Sequence, residues 1–499
     1  MERLGLMDAD NNQLLATTIT VNKSKVSFVD PVIKIIKSPN THHKMEFMGK
    51  IKYNDYEDII GDLTPNSSIQ IEFGMEGNWL LLFYGMIVSF NVVSVPDEYH
   101  PLYDIQILGM SYSCLLDCEK KCKVYQDTHA THRQIIQDIL SAYPGANFII
   151  PPAIREAKLE TFTLQYNETD WEFLKRMASR TGSPIVASSK TNGVKIKYGM
   201  IWGTTTYVLD DQCKYSMMEI KDISPYKPQS FLGKRQNQYN IEIITEGPDS
   251  QSLEIGDCIL IQGRAWYVKE VEAIIKDHVL SHKYLLSDQH GFFETRQFNF
   301  QLKGLSLPGT VSDVNNNMVK VLFDLKAYPG NNDCWFSYST FYSTFYCMPE
   351  MGDRVNLYIP DYEESHSIIL NSVHSAPNTQ AGNDAPKNQN FNTQELFSNN
   401  QVKILATKDG KMLILDDQTG KVSLVCGDGS YITITGNEIF INTSQEINIH
   451  ADGTLCLSAD ESIDLSAETE LKISCKDSSI FLSEDSIDIN ATDIKMNEG

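Results

Sequence analysis

Residues 446–475 read "EINIHADGTLCLSADESIDLSAETELKISC". Ile447 and Ile449 stand two apart, then Leu455 and Leu457, Ile463 and Leu465, and Leu471 and Ile473, each pair starting eight residues after the last. Residues at i and i+2 share one face of a strand. The Asp, Glu, Ser and Thr between the pairs suit corners and solvated positions. An eight-residue unit is thus one short strand and one turn, with a single apolar face that it cannot bury alone.

Working outward, the pairs extend to Ile432/Ile434, Ile439/Ile441, Ile480/Leu482, Ile487/Ile489 and Ile494/Met496. That makes nine rungs, with starts 7, 8, 8, 8, 8, 9, 7 and 7 residues apart. Three such faces close a triangular prism. One chain coiling with three rungs per turn would make a stub ~14 Å tall, whereas three chains giving one face each would make a rod of ~43 Å. The rod has no open sheet edge along its sides. The spacing alone is compatible with both.

Charge follows the same division. The chain of 499 residues carries a formal −23, and residues 430–499 hold 14 Asp or Glu against 3 Lys, a net of −11. Such a segment repels phosphate backbones and anionic lipid headgroups, so no nucleic-acid partner is expected. This length exceeds one ordinary core and implies three or more domains. The opening "MERLGLMDADNN" has no basic n-region and no apolar h-region, so assembly in the cytoplasm without a signal peptide is expected. The longest apolar run, "WLLLFYGMIVSF" (79–90), is too short for a membrane helix, which needs ~20 residues. The cysteines read as reduced thiols.

Residues 1–110 alternate or run apolar between turn residues, as strands do. Two helices are expected near 128–142 and 169–181. The first buries Ile135, Ile136, Ile139 and Leu140 and stops at Pro144-Gly145. The second opens on the capping box Thr169-x-x-Glu172 and ends at Gly182, with Trp171, Leu174, Met177 and Ala178 buried. Residues 253–275, 309–325 and 348–375 return to strands with tight turns. Residues 376–401 are rich in Asn, Gln and Pro and read as a linker.

Three segments carry a family resemblance. "YNETDWEFLKR" matches a Tyr-Asn-Glu-Ser/Thr-Asp-x-x-Phe-Leu-x-Arg pattern at Tyr166, Asn167, Glu168, Thr169, Asp170, Phe173, Leu174 and Arg176. Tyr125, Gln126 and Asp127 fit the Phe-Gln-Asp that precedes the earlier helix. "MPEMGDRVNLYI" fits Pro-x-x-Gly-Asp-x-Val at Pro349, Gly352, Asp353 and Val355, although Asn371 stands where a Leu-Gly-Ser closing turn has glycine. In this order, and followed by an octad tail, these segments resemble the VgrG family, the trimeric spike proteins of type VI secretion and related contractile injection systems. They are similar to the fused baseplate hub and cell-puncturing spike of contractile phage tails.

The resemblance implies a mainly β fold. Residues 1–300 would form two hub-type β-barrels with intervening helices, 301–375 an OB-fold collar, 376–401 a linker, and 402–499 an intertwined trimeric β-helix needle. The core of that needle would be Ile439, Ile441, Ile447, Ile449, Leu455, Leu457, Ile463, Leu465, Leu471, Ile473, Ile480, Leu482, Ile487 and Ile489. Implied partners are two further copies of the chain, an Hcp-like inner tube protein with baseplate components, and a PAAR-like tip protein at Ile494 and Met496. The target membrane would be met transiently, as the particle is delivered from the cell on firing.

Catalysis is not expected. The linker is too short for an enzyme domain, and no Gly-x-Ser-x-Gly, His-Glu-x-x-His or phosphate-cradling loop is present. Glu168 and Asp170 read as helix-capping acids facing water. Cys118, Cys122, His129 and His132 have zinc-like spacing, but the even spacing of Cys114, Cys118 and Cys122 beside a strand suits small apolar residues better. His42-His43 reads as a solvated turn. The aromatics Phe336, Tyr338, Phe341 and Phe345 suit barrel or interface packing rather than a stacking platform. No cofactor or metal is expected. The competing readings are a cell-wall-degrading tail protein and a receptor-binding fibre tip.

Overall fold

The computed structural model describes residues 2–3, 16–75, 77–94, 102–203, 206–208, 215–222, 238–246, 252–341, 347–372 and 399–495. Nearly all of the expected linker, together with Phe345 and Met496, lies outside the described residues. The chain divides into two units, 1–375 and 376–499.

The first unit is mainly β. Its largest sheet has 14 strands among the described residues. Period-2 alternation decides which side chains are inside: Ile69, Ile71 and Phe73 of strand Ser68–Met75 and Met45 and Phe47 of Lys44–Ile51 all face one core. The apolar run at 79–90 lies within a single strand, Asn78–Ser94. A second core gathers Ile243, Ile259, Trp266, Val268 and Leu286. Strand Arg264–Lys276 pairs antiparallel with Val29–Lys37, so both halves belong to one sheet, and Ala273 and Ile275 of that strand are buried in the first core.

Among the described residues four α-helices punctuate the unit: α1 (Tyr53–Asp62), α2 (His132–Leu140), α3 (Pro152–Arg155) and α4 (Asp170–Ser179). The expectation of strands throughout 1–110 misses α1. That helix has no side-chain cap and Ile59 as its buried residue, so little local patterning marks it. Capping boxes open α2 at Thr131/Gln134 and α4 at Thr169/Glu172. Gly182, at φ +66°, follows α4; a Cβ there would lie 2.3 Å from the Phe293 ring. Strands Leu305–Asn315, Met318–Phe323, Phe336–Tyr338, Ile368–Ser372 and Arg354–Ile359 close a five-stranded barrel.

Among the described residues three imidazoles are buried in this unit. His43 Nδ1 lies 3.0 Å from Ser189 Oγ, His132 Nδ1 lies 3.0 Å from the Tyr198 hydroxyl, and the His282 ring stacks on Tyr284. Burial depresses all three, to about 3, about 4 and about 3 respectively, helped at His43 by the Lys37 charge and at His132 by Arg180. The folded chain therefore refuses protons that the unfolded chain accepts. Stability should be unaffected by these groups above pH 6.5 and fall as pH drops from 6.5 toward 4, by roughly 2–3 kcal/mol per imidazole at pH 4.5. Thermal melts at pH 7.5, 6 and 4.5 check this; a flat midpoint would contradict it.

The second unit begins as a five-stranded antiparallel meander, Val402–Ala406, Met412–Asp416, Lys421–Val425, Tyr431–Ile434 and Ile439–Asn442. A three-stranded meander follows at Glu470–Cys475, Ser478–Ser483 and Ile487–Asn490. The rungs at 447/449, 455/457 and 463/465 form no strand ladder in the single chain.

Candidate functional site

The residues of the α4 motif act as a clamp between hub and barrel. Strand Thr163–Thr169 pairs with Lys120–Tyr125 and bulges between Tyr166 and Glu168, where Asn167 adopts a left-handed φ of 48°. The bulge is followed by Thr169, whose hydroxyl accepts from the Glu172 amide at 3.1 Å while Glu172 Oε2 accepts from the Thr169 amide at 2.9 Å. One turn further on, Arg176 points back under the strand. Its Nε and Nη2 donate to the two Glu168 oxygens, each at 2.8 Å, and Nη2 also donates to the Leu164 carbonyl at 2.7 Å. Its Nη1 donates at 2.7 Å to Glu364 Oε1, on the short 3₁₀ turn Glu364–His366 between two barrel strands. Arg180 reaches the same oxygen at 3.1 Å.

This network is dry. Glu168, Arg176 and Glu364 are all buried. Burial alone would lower the Arg176 pKa, but Glu364 and Glu168 outweigh it and hold the guanidinium above its ordinary value. Burial would raise Glu364, but Arg176 and Arg180 outweigh it and hold the carboxyl below its usual range. Asp170 is buried too. It accepts from Lys121 Nζ at 2.6 Å, the Tyr143 hydroxyl at 2.7 Å and Gln165 Nε2 at 3.0 Å. The expectation that Glu168 and Asp170 face water is therefore corrected: each is buried and paired. Phe173 stacks on Tyr125, with ring centroids 5.1 Å apart, and Leu174 is fully buried.

The second motif joins the same seam. Gln126 Nε2 donates to the Val321 carbonyl at 2.8 Å and to Asn332 Oδ1 at 2.9 Å. Barrel segment Lys326–Ala327 pairs parallel with Lys123 and Val124. Val124, Phe162 and Leu164 from the hub complete the barrel's own core. In the third motif, Gly352 takes φ +94° in the turn before strand Arg354–Ile359, Asp353 Oδ2 accepts from the Glu350 amide at 2.8 Å, and Pro349 and Val355 are buried. Sequence reasoning found the α4 residues but not Glu364 or Arg180. Glu364 lies 188 residues from Arg176, in "DYEESH", where nothing local distinguishes it from its neighbours.

Cys118 and Cys122, expected to act as small apolar residues, are exposed. Cys114 lies on the 3₁₀ turn Tyr112–Asp117, Cys122 on strand Lys120–Tyr125, and His132 faces Tyr198. Among the described residues no group of three His, Cys, Asp or Glu could hold a metal ion. His42-His43 is not a solvated turn: His42 sits between Ser113 and Asp117 against the Trp171 ring, and His43 is buried. Phe336 is in the barrel core against Phe162 and Phe323, whereas Phe341 is 93% exposed.

In the second unit the rungs that lie in strands pair with their immediate neighbours. Ile432 faces Ile441 and Ile434 faces Ile439. Leu471 faces Leu482, which faces Ile487; Ile473 faces Ile480, which faces Ile489. These residues form continuous apolar rows on one face, and the face is open: Ile439 is 70% and Ile487 69% exposed. A single-chain coil of three rungs per turn needs rung n beside rung n+3 in parallel. Antiparallel pairing of adjacent rungs makes a flat panel instead, so these segments do not close on themselves. Ile447, Ile449, Leu455, Leu457, Ile463 and Leu465 are each exposed by half or more, as is Ile494.

Comparison with known proteins agrees with this architecture. Residues 64–240 match the phage tail baseplate hub family (GPD). No curated protein sequence matches the chain. Among solved structures, an Escherichia coli component of the type VI secretion system, described as structurally similar to the bacteriophage T4 tail proteins gp27 and gp5, aligns with TM-score 0.51 at 13% identity over 71% of this chain and 99% of its own. A chain of the half-lidded Francisella PdpA-VgrG complex aligns with TM-score 0.56 at 10% identity, covering 86% of this chain and 89% of its own. In the lidless form the values are 0.55 and 10%, covering 87% and 100%. The chain thus carries a segment like the phage tail baseplate hub within a mainly β fold shared with these type VI secretion and VgrG structures.

Proposed function

We propose that this protein is the hub and spike subunit of a contractile injection machine, working as a homotrimer and without catalysis. The observation that carries the reading is the open apolar panel of paired rungs in the second unit, on a chain whose first unit has a baseplate hub fold. Two further copies supply the two missing faces. The rows of Ile and Leu then become the core of a stiff needle, with strands hydrogen-bonded along its axis. The hub would dock the inner tube and baseplate, and the barrel, held to the hub by the buried Arg176 network, would serve as the collar. A stiff collar junction matters because thrust delivered to the hub must reach the needle without bending at the join. Strand Ile487–Asn490 is an edge of its sheet among the described residues, and a cone-shaped PAAR-like protein seated near Ile494 and Met496 would cover such an edge.

Light scattering on the purified chain should give about three times 56.4 kDa, and a chain ending at Ser486 should keep that mass while losing co-purification with the tip protein. A full-length monomer would sink the trimer. A truncated trimer that retains the tip protein would sink the tip site alone.

A further inference from the structure

Helix α2, strand Asn147–Ile149 and helix α3 enclose a cleft of about 540 Å³ on the hub. Its lining includes Leu140, Phe148 and Ile150 on the apolar side and Arg133, Asn147 and Arg155 on the polar side. The volume lies in the range of sites that hold a small ligand or a few peptide residues.

The two arginines are exceptional within this chain. Every other arginine with a described side chain has a carboxylate partner: Arg176 and Arg180 with Glu364, Arg264 with Asp288, Arg296 with Glu363, and Arg354 with Asp324. Among the described residues Arg133 and Arg155 have none, although the chain carries a net −23. Arg155 Nε is also buried and donates to no protein acceptor. A guanidinium N–H withdrawn from water without an acceptor is costly, and such groups are rare unless something else satisfies them. The cleft also has a strand along its wall. Asn147–Ile149 is the edge of a three-stranded sheet, paired on one side with Lys195–Tyr198 and, among the described residues, with no strand on the other.

We propose that this cleft docks an extended acidic and apolar peptide segment of a partner protein. The peptide backbone runs along the open side of Asn147–Ile149. One apolar side chain rests on Leu140 and Phe148. A carboxylate accepts two hydrogen bonds from the Arg155 guanidinium, with Arg133 adding its charge at the rim. A free phosphate would use the arginines but neither the apolar floor nor the strand edge, so a peptide fits the whole lining better. The carboxylate could be a side chain or a chain terminus, and the probes below separate these.

The test uses the full-length protein and fluorescein-labelled peptides alternating Leu or Phe with Glu, made with free and with amidated C-termini, and Gln-for-Glu counterparts. Binding is followed by anisotropy. The Glu peptides should bind and the amidated Gln peptides should not. Loss of binding on amidating the Glu peptides would assign the carboxylate to a terminus, and retention would assign it to a side chain. Arg155→Gln should weaken binding about tenfold or more and Arg133→Gln by a smaller factor. Arg155→Lys, which keeps the charge but loses the planar fork, should fall between. If Arg155→Gln fails to fold, the exposed Arg133 still gives a usable variant. Undetectable binding of the Glu peptides, equal affinity for amidated Gln and Glu peptides, unchanged affinity in all three variants, or full displacement by inorganic phosphate would each overturn the proposal.

Discussion

Ile480→Asp is expected to leave the protein monomeric. Ile480 stands in the middle strand of its panel, between Ile473 and Ile489. In a trimer each chain brings its own copy to the same level of the axis, so one substitution introduces three carboxylates into an apolar core. Desolvating an ionised group costs several kcal/mol, and mutual repulsion of three like charges adds to this. Light scattering should show the mass drop from about three times 56.4 kDa to one. Asp488→Ala is the matched control. Asp488 lies between Ile487 and Ile489 and so points to the other face, where it accepts from the Ser486 hydroxyl. That change should leave the mass unaltered. If both variants behave alike, the face assigned to the core is the wrong one.

Arg176→Ala is expected to destabilise the first unit by about 3–5 kcal/mol, because Glu168 and Glu364 would remain buried without their cation. Arg180 retains one contact to Glu364, so the loss should lie below what removing both arginines would cause. Arg176→Lys should recover little. An ammonium cannot span Glu168, the Leu164 carbonyl and Glu364 at once as the guanidinium does. Thermal melts give the magnitude. Limited proteolysis gives the location: the seam between hub and barrel should become the first site of cleavage. A variant as stable and as resistant as the parent would mean the network contributes little to holding the two together.

What the sequence makes legible is local. The capping box Thr169/Glu172 declares itself within four residues, and the octad pairs do so within a few turns of a repeat. The capping box appears where the spacing puts it, and of the octad pairs those at 432–441 and 471–489 lie in strands. The α1 helix escapes because neither a cap nor an apolar stripe announces it. The Arg176–Glu364 pair escapes for a different reason. Glu364, 188 residues from Arg176, carries no mark of being buried with it, and an exposed capping role is the ordinary use for Glu168 and Asp170. The same holds for His43, whose burial depends on Ser189 and Ser111 arriving from distant segments. Strand order is also invisible locally: nothing in 33–37 or 271–275 announces that these two stretches will fuse the halves of the hub. For the tail, period two reveals the face but not the neighbour. Only the observed registers show that the rungs lying in strands, 432–441 and 471–489, pair each with the next one along.

That neighbour rule gives the tail an adjustable gauge. A rung bonded only to the one before and the one after can be copied or deleted without disturbing any distant register. Each octad gained or lost should change the stack by one strand spacing, about 4.8 Å. Reach can therefore evolve in small, evenly graded increments, whereas the hub sheet, whose strands cross between halves of the chain, tolerates no such editing.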